Sequence, residues 1–198
     1  MLFATIEKVA SVQRLEVCAT KYNRLRRLTH DLLEEEALRA FRIKILVRNI
    51  DDDALAVVDG HWSVIGRKEL FAWRDRILPV LLKSHPRALR LALWSEGRLC
   101  GLAVARLSDS KAWISLTHIE GSPDSSHPLK GLVAPIALVG ADIYRSLVEN
   151  EDSLGRRTCV RIMNPLAESI DWYAKCGYST LVRANGYTYA TGFQGETE

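Results

Sequence analysis

Long apolar runs are missing from this sequence. The best candidate, residues 131–141, contains Pro135 and falls short of the roughly 18 to 20 apolar residues that a bilayer span requires. We therefore expect no membrane-spanning helix. Charged Glu7 and Lys8 lie where a secretory signal has its apolar core, so we also expect no export and a cytoplasmic location.

Paired cysteines and clustered metal ligands are missing as well. The cysteines lie far apart, without the spacing of a zinc site or of a disulfide framework: Cys18, Cys100, Cys159 and Cys176. The five histidines are equally scattered, so we expect reduced thiols and no bound metal. A strong excess of one charge sign is also absent, because the formal net charge is +3. That charge does not predict nucleic-acid binding, since phosphates require basic residues concentrated on one face.

The chain does contain enough apolar sequence for one substantial domain, with 47% hydrophobic residues in a length of 198. Its pattern changes at the acidic run 51–53. Before that run, apolar residues recur at helical spacing, which predicts one or two amphipathic helices. We therefore divide the chain into a helical N-terminal extension, residues 1–50, and a domain, residues 51–198. An amphipathic extension and a terminal strand also suit a homodimer.

After the acidic run, residues 54–58 are predicted to form a short strand. Residues 67–82 are predicted to form a helix that is kinked or split at Pro79. The hydrophobic period then changes to that of strands. Three β-rich runs separated by short polar turns predict an antiparallel meander: residues 88–94, 98–107 and 111–119. Residues 120–130 are predicted to form a loop.

A helix follows this loop, with Pro135 tolerated in its first turn. The buried face of this helix is predicted to consist of Ile136, Val139, Ile143 and Leu147. Residues 158–163 then form a strand. Asn164 and Pro165 predict the start of another helix, with Asn164 as its cap, and this helix ends at Gly177.

Asn185 and Gly186, between two aromatic-rich runs, predict a closing hairpin. The element order is then βββ-α-β-α-ββ. Because a strand–helix–strand crossover joins parallel strands, the sheet must be mixed. The expected fold is α/β (α+β), with a mixed, mainly antiparallel central sheet and flanking helices. A cleft opens where neighbouring strands of such a sheet diverge, and such clefts are common ligand sites.

The junction of loop and helix at residues 130–134 is the first candidate site. A helix N-terminus presents unpaired N–H groups and a partial positive charge. Gly131 would let a diphosphate approach the backbone closely, and Lys130 would add a formal charge. The alternative is that Gly131 only turns the chain into a buried helix. This segment alone does not decide between the two.

The second candidate site is the segment from Ser169 to Tyr178, which reads Ser-Ile-Asp-Trp-Tyr-Ala-Lys-Cys-Gly-Tyr. It resembles the signature of the GNAT family of N-acetyltransferases. In that signature, a small residue and an aliphatic residue lead to a tyrosine, a lysine two places on, and Gly-Phe or Gly-Tyr. The predicted element order is also that of the family. The resemblance covers residues 54–193, and residues 1–50 have no counterpart in it.

This resemblance implies an enzyme that takes an acyl group, expected to be acetyl, from acetyl-CoA and passes it to an amine. It implies that the pantetheine arm of coenzyme A inserts between residues 111–119 and residues 159–163. The residues implied to contact coenzyme A are Ile119, Lys130, Gly131, Leu132, Val133, Ala134, Asn164 and Tyr173. The phosphate loop departs from the family pattern, because Ala134 comes one place late after Gly131.

The resemblance also implies catalytic roles. Tyr173 would protonate the departing thiolate, and Glu120 or His118 would accept the proton of the amine, with His127 as a further candidate. His118 and Glu120 occupy alternate positions of a strand and so share a face. Each assignment has a structural alternative: Asn164 as a helix cap, Tyr173 as a core tyrosine, His118 and Glu120 as solvated residues at a sheet edge.

Two other functions are compatible with the sequence. One is a relative of the same fold that binds acyl-CoA as a regulatory or interaction module without transferring the acyl group. The other is a nucleic-acid-directed or toxin-like protein that uses its N-terminal helices to reach a large substrate. Acceptor pockets are built from loops, and none of the loops carries a motif that identifies the acceptor or the acyl length.

Overall fold

A computed structural model of the chain describes residues 2–65, 71–152 and 158–192, with side chains from residue 19 onward. The helices are α1 Leu2–Phe41, α2 Asp52–Val57, α3 Leu78–Ser84, α4 Val133–Asp152 and α5 Ile170–Lys175. The strands are β1 Leu46–Arg48, β2 Leu89–Ser95, β3 Arg98–Leu107, β4 Trp113–Gly121, β5 Cys159–Met163, β6 Thr180–Ala184 and β7 Tyr187–Thr191. Three shorter turns adjoin these helices. α2 continues into a π-helical turn at Val58–Trp62, and a second π-helical turn at Trp73–Ile77 leads into α3. A 3-10 turn at Ala167–Ser169 precedes α5.

The seven strands form one sheet in the order β1-β2-β3-β4-β5-β7-β6. Every neighbouring pair is antiparallel except β4 and β5, which are parallel and joined by the α4 crossover. The predicted fold class, a mixed and mainly antiparallel sheet with flanking helices, is therefore confirmed, as is the element order. The turn at Glu96 and Gly97 and the hairpin at Asn185 and Gly186 both have two residues with positive φ, the geometry that a two-residue hairpin requires.

The two faces of the sheet are covered by different parts of the chain. One face carries α1 and α4 and forms the larger apolar core, to which Leu91, Leu116 and Ile162 contribute. The opposite face carries α2, the two π-helical turns and α3, which enclose Trp62 and Trp73 over Leu102 and other residues of β2 and β3. The sheet therefore separates two chemically distinct sides.

The N-terminal segment forms one long helix, α1, and then a strand that extends the sheet. Tyr22, Leu25, Leu33 and Ala37 of α1 are buried in the core that α4 shares. β1 lies before residue 50 and pairs with β2. The division at residue 50 into an extension and a domain stays a prediction. No helix among the described residues is both long and apolar enough to cross a membrane.

Residues 54–58 are helical, so the predicted strand at this position is wrong. The carboxylate of Asp51 accepts a hydrogen bond from the N–H of Ala54 at 2.9 Å and caps the helix, and two further acidic residues occupy its first turn. Farther along, the helix changes from a π-helical turn to α-helix at Leu78, directly before Pro79, without a break in the chain of helical residues. The beginning of that predicted helix, residues 67–70, lies outside the described residues.

The buried face of α4 is wider than predicted. Ile136 is fully buried, but Val139, Ile143 and Leu147 are only partly buried. The buried stripe instead includes Ala137, Gly140, Ala141, Tyr144 and Val148. These smaller residues are buried because α4 packs on the sheet beneath it and on α1 at its side, so a methyl group at Gly140 would lie 2.9 Å from Leu33 Cδ2.

Candidate functional site

β4 and β5 diverge near the middle of the sheet. Their parallel pairing ends at Leu116 and Ile162, yet β4 continues to Gly121. Beyond Leu116, no described strand pairs with β4 on its β5 side. The backbone of residues 117–119 therefore faces a gap between the two strands. The divergence lies between the two segments, residues 111–119 and 159–163, that the resemblance implied.

Asn164 directs β5 away from β4. It adopts a left-handed conformation with φ of +48°, a region that asparagine enters more readily than most residues. Its N–H donates to the carbonyl of Thr188 at 2.6 Å, and its Oδ1 accepts from the N–H of Thr188 at 3.0 Å. These two bonds tie the end of β5 to β7 and so keep the gap open.

The prediction that Asn164 caps a helix is wrong, because its side chain is bonded to β7. Regular helix begins later, with the 3-10 turn at Ala167, and Leu166 precedes that turn without a side-chain cap bond. Leu166 itself is 52% exposed. The local sequence Asn-Pro is equally compatible with a turn, and the tertiary contact with Thr188 decides between the two.

A β-bulge lies in β4 at the start of the gap. Leu116 pairs with Ala105 and His118 pairs with Val104, so Thr117 is the extra residue. This bulge was not predicted. The signal was present, because the apolar positions of β4 run 114, 116 and then 119, which breaks the alternation of a regular strand.

His118 and Glu120 lie on the same face of β4, as predicted, but the alternative that they are solvated is wrong. Glu120 is 6% exposed, and its carboxylate accepts a hydrogen bond from the indole N–H of Trp73 at 2.5 Å. The His118 ring packs edge-to-face against Phe71 and Trp73. Its Nδ1 lies 2.9 Å from the hydroxyl oxygen of Thr117. Trp73 is therefore a site neighbour that sequence reasoning did not identify, because it is 47 residues from Glu120 in the chain.

The electrostatic environment keeps His118 neutral. Burial lowers the pKa of its imidazole, and the positive charge of Arg106 lowers this pKa further. His127, the further base candidate, is also buried, and its Nδ1 accepts the N–H of Leu129 at 3.2 Å. Nδ1 of His127 is therefore occupied by a hydrogen bond within the loop before α4, so it does not serve as a proton acceptor in this arrangement.

The N-terminus of α4 lies beside the open end of β4. The first residue of α4, Val133, packs closely against Gly101 of β3. A methyl group added at Gly101 would lie 2.5 Å from Val133 Cγ1. Gly131 has φ of +77°, which glycine adopts without steric cost. The N–H of Leu132 bonds to the carbonyl of Leu129 at 2.9 Å.

Three backbone donors at this helix start remain open. Within the described residues, the N–H groups of Gly131, Val133 and Ala134 have no hydrogen-bond partner. Lys130 is exposed next to them. An arrangement of free N–H groups, a helix dipole and a lysine is suited to an anion such as a diphosphate.

Tyr173 lies on the other side of the sheet from His118 and Glu120. It is 8% exposed and belongs to the core that α1 and α4 cover, together with partly buried Ile119. Its hydroxyl has no hydrogen bond to any described residue. Burial raises the pKa of this phenol, so it stays protonated over a wider pH range. The predicted catalytic residues thus lie on both faces, with the gap between β4 and β5 as the connection.

Several solved structures resemble this fold at low sequence identity. An acetyltransferase from Thermus thermophilus has a TM-score of 0.46 at 16% identity, with 74% of this chain and 94% of that chain covered. The PaiA N-acetyltransferase from Thermoplasma acidophilum, solved in complex with coenzyme A, has a TM-score of 0.48 at 13% identity, with 75% and 99% covered. An acyl-CoA N-acyltransferase from Pseudomonas aeruginosa has a TM-score of 0.38 at 8% identity, with 75% and 96% covered. No family model and no curated protein sequence matches the chain.

Proposed function

We propose that this chain is an acyl-CoA-dependent N-acyltransferase of the GNAT family, which transfers an acetyl group from acetyl-CoA to an amine in the cytoplasm. The observation that carries the proposal is the gap between β4 and β5. It opens directly after the Thr117 bulge, and the free N–H groups at the start of α4 lie beside the end of β4. The signature from Ser169 to Tyr178 supports the same reading.

The residues around the gap fit an extended thioester donor. The unpaired edge of β4, including Ile119, offers backbone groups that bind an extended pantetheine arm as a neighbouring strand would. The N–H groups of Gly131, Val133 and Ala134 hold the diphosphate, together with Lys130 and the backbone of Leu132. Asn164 acts here by holding β5 apart from β4, because its Oδ1 is bonded to Thr188.

The donor supplies an activated acyl thioester, and the chain supplies the proton acceptor for the amine. An amine attacks only in its deprotonated form. Glu120 or His118 takes up that proton on the face that carries α2 and α3. The lowered pKa of His118 leaves its imidazole neutral at pH 7, so it can accept a proton there. Trp73 orients the carboxylate of Glu120 through its indole N–H.

The negative charge that develops on the acyl oxygen is stabilised by a backbone N–H of β4 near His118 and Ile119, where the bulge interrupts regular pairing. Tyr173 donates its phenolic proton to the departing thiolate. Its raised pKa keeps that proton available at neutral pH. Base and acid therefore act from opposite faces of the sheet.

The phenylalanine variant of Tyr173 tests this assignment. Because general acid catalysis contributes typically 10²- to 10⁴-fold, we expect Tyr173→Phe to lower kcat by about 100-fold or more while the Kd for acetyl-CoA changes little. Tyr22→Phe is the matched control, since it removes the same hydroxyl from a core tyrosine of α1. Calorimetric titration with acetyl-CoA and a transfer assay over an amine library give the two quantities. An unchanged kcat removes Tyr173 from the mechanism.

The same two measurements separate transfer from binding alone. Titration that shows acetyl-CoA binding, with no transfer to any amine of the library, favours the regulatory or interaction module. The absence of binding at millimolar acetyl-CoA contradicts the whole proposal, since the gap would then not hold a thioester donor.

A further inference from the structure

A cavity of about 240 Å³ lies on the face of the sheet that carries His118 and Glu120. Its lining includes side chains of four strands: Arg106, Ser115, Thr117, Arg161, Met163 and Tyr189. The last β4–β5 pair is Leu116 with Ile162, so Thr117 and Met163 are the first residues beyond it. The cavity therefore begins where the gap opens.

The guanidinium group of Arg161 is held in place in this cavity, and its two terminal nitrogens are available to a ligand. Its guanidinium carbon lies 3.7 Å from the ring centre of Tyr189 and 4.7 Å from that of Trp113. Its Nε donates to the hydroxyl of Ser115 at 2.8 Å. The two terminal nitrogens have no hydrogen-bond acceptor among the described residues. A guanidinium held this way is organised for two parallel hydrogen bonds to an anion.

The charge of the cavity is positive. Arg106 lies 3.4 Å from His85 Nδ1, and neither Arg106 nor Arg161 has a carboxylate partner among the described residues. Asp109, the carboxylate of the lining, is exposed and forms an ion pair with Arg87. Two half-buried guanidinium groups without a counter-ion at a site of this size are suited to a small anionic group.

We propose that Arg161 and Arg106 select an acceptor amine that carries a carboxylate or a phosphate. This inference rests on the proposed function and names the substrate class of the same site. Arg161 pairs with Ser115, and the β3 partners of Ser115 and of the base candidate His118 are two residues, or about 6.6 Å, apart. The acid and the amine of the acceptor are therefore separated by a short chain of a few bonds.

Paired acceptors that differ in one anionic group test the inference. The pairs are 4-aminobutyrate with 4-aminobutanamide, glycine with glycinamide, and O-phosphoethanolamine with ethanolamine; the first two probe a carboxylate and the third a phosphate. Amidation also changes the basicity of an amine, so the ratio of kcat/KM within each pair is compared between proteins. We expect the wild-type ratio to favour at least one anionic member. Arg161→Met should lower that ratio by about 10- to 100-fold, and Arg106→Met should lower it less.

Arg183→Met is the matched control, because it removes the same charge from an exposed position of β6 outside the cavity. Acetyl-CoA affinity, measured by calorimetry, should be unchanged in all three variants. If the wild type prefers no anionic member, or if Arg183→Met lowers the ratio as much as Arg161→Met, the inference is wrong while the transferase assignment stands.

Binding measurements distinguish the proposed acceptor selection from the proposed transferase function. The anionic and neutral probes are titrated calorimetrically without acetyl-CoA. Tighter binding of an anionic probe, lost in Arg161→Met, supports the cavity assignment even if no transfer is seen. A wild-type protein that binds acetyl-CoA but no anionic probe more tightly than its neutral counterpart overturns it.

Discussion

Asn164 shapes the gap between β4 and β5 through its contacts with β7. Its left-handed backbone and its side-chain bond to Thr188 draw β5 towards β7 at the point where β4 continues alone. Two properties are therefore combined in one residue. Asparagine tolerates a positive φ, and its side-chain amide oxygen accepts a hydrogen bond from a backbone N–H of the neighbouring strand.

Two substitutions separate these properties. Asn164→Gly keeps the positive φ but loses the bond to Thr188, so we expect the free energy of unfolding to fall by about 1 kcal/mol. Asn164→Ala also places a Cβ in the left-handed region, and we expect a further loss of about 1 kcal/mol. Urea denaturation measures both values. Equal stability of the two variants would contradict the role assigned to the backbone conformation.

At the level of elements, the strands from β2 onward and their turns could be predicted because local signals decide them. The meander, β5 and the closing hairpin follow alternating apolar residues and short polar turns. The position of the gap followed from the resemblance together with this order. The error at Asn164 falls where a tertiary contact decides, because its side chain bonds to β7. The error at residues 54–58 has a local cause, since the carboxylate of Asp51 caps a helix there instead of preceding a strand.

Side-chain partners were the least predictable part of the site. The bond between Trp73 and Glu120 and the cavity around Arg161 join residues that are distant in the chain, so no spacing reveals them. A charged residue between the core positions Val160 and Ile162 predicts only that Arg161 faces the other side of the sheet.

The packing of α1 against α4 predicts how substitutions in α1 change the free energy of unfolding. Leu33 is fully buried in that contact, whereas its neighbour Leu32 is 41% exposed. Leu33→Ala leaves a cavity beside Gly140, so we expect a loss of about 2 to 5 kcal/mol in the free energy of unfolding. Leu32→Ala is the matched control and should cost less than about 1 kcal/mol. Equal effects on the urea midpoint would mean that α1 does not share the core with α4.

For the whole molecule, buried neutral histidines couple stability to pH. Burial is the largest cause that lowers the pKa values of four histidines, which lie on both faces of the sheet and in the loops at its ends: His30, His85, His118 and His127. The unfolded chain therefore binds protons on these rings, from about pH 6.5 downward, before the folded chain does. Acidic residues with lowered pKa values, Asp124 and Asp152, act in a separate window below pH 3.8.

The sign of the pH effect follows from this difference in proton binding. Stability rises with pH wherever the unfolded state binds more protons, so the histidine contribution is complete above pH 6.5 and is lost as the pH falls through the folded pKa values. We expect urea midpoints to be lower at pH 5 than at pH 7.5. His30→Gln should reduce this dependence, because His30 is 6% exposed and its Nε2 lies 3.2 Å from the carbonyl oxygen of Arg90. His61→Gln, at an exposed position, is the control. Midpoints that stay level from pH 7.5 to pH 5 would show that these rings gain protons in the folded protein as readily as in the unfolded chain.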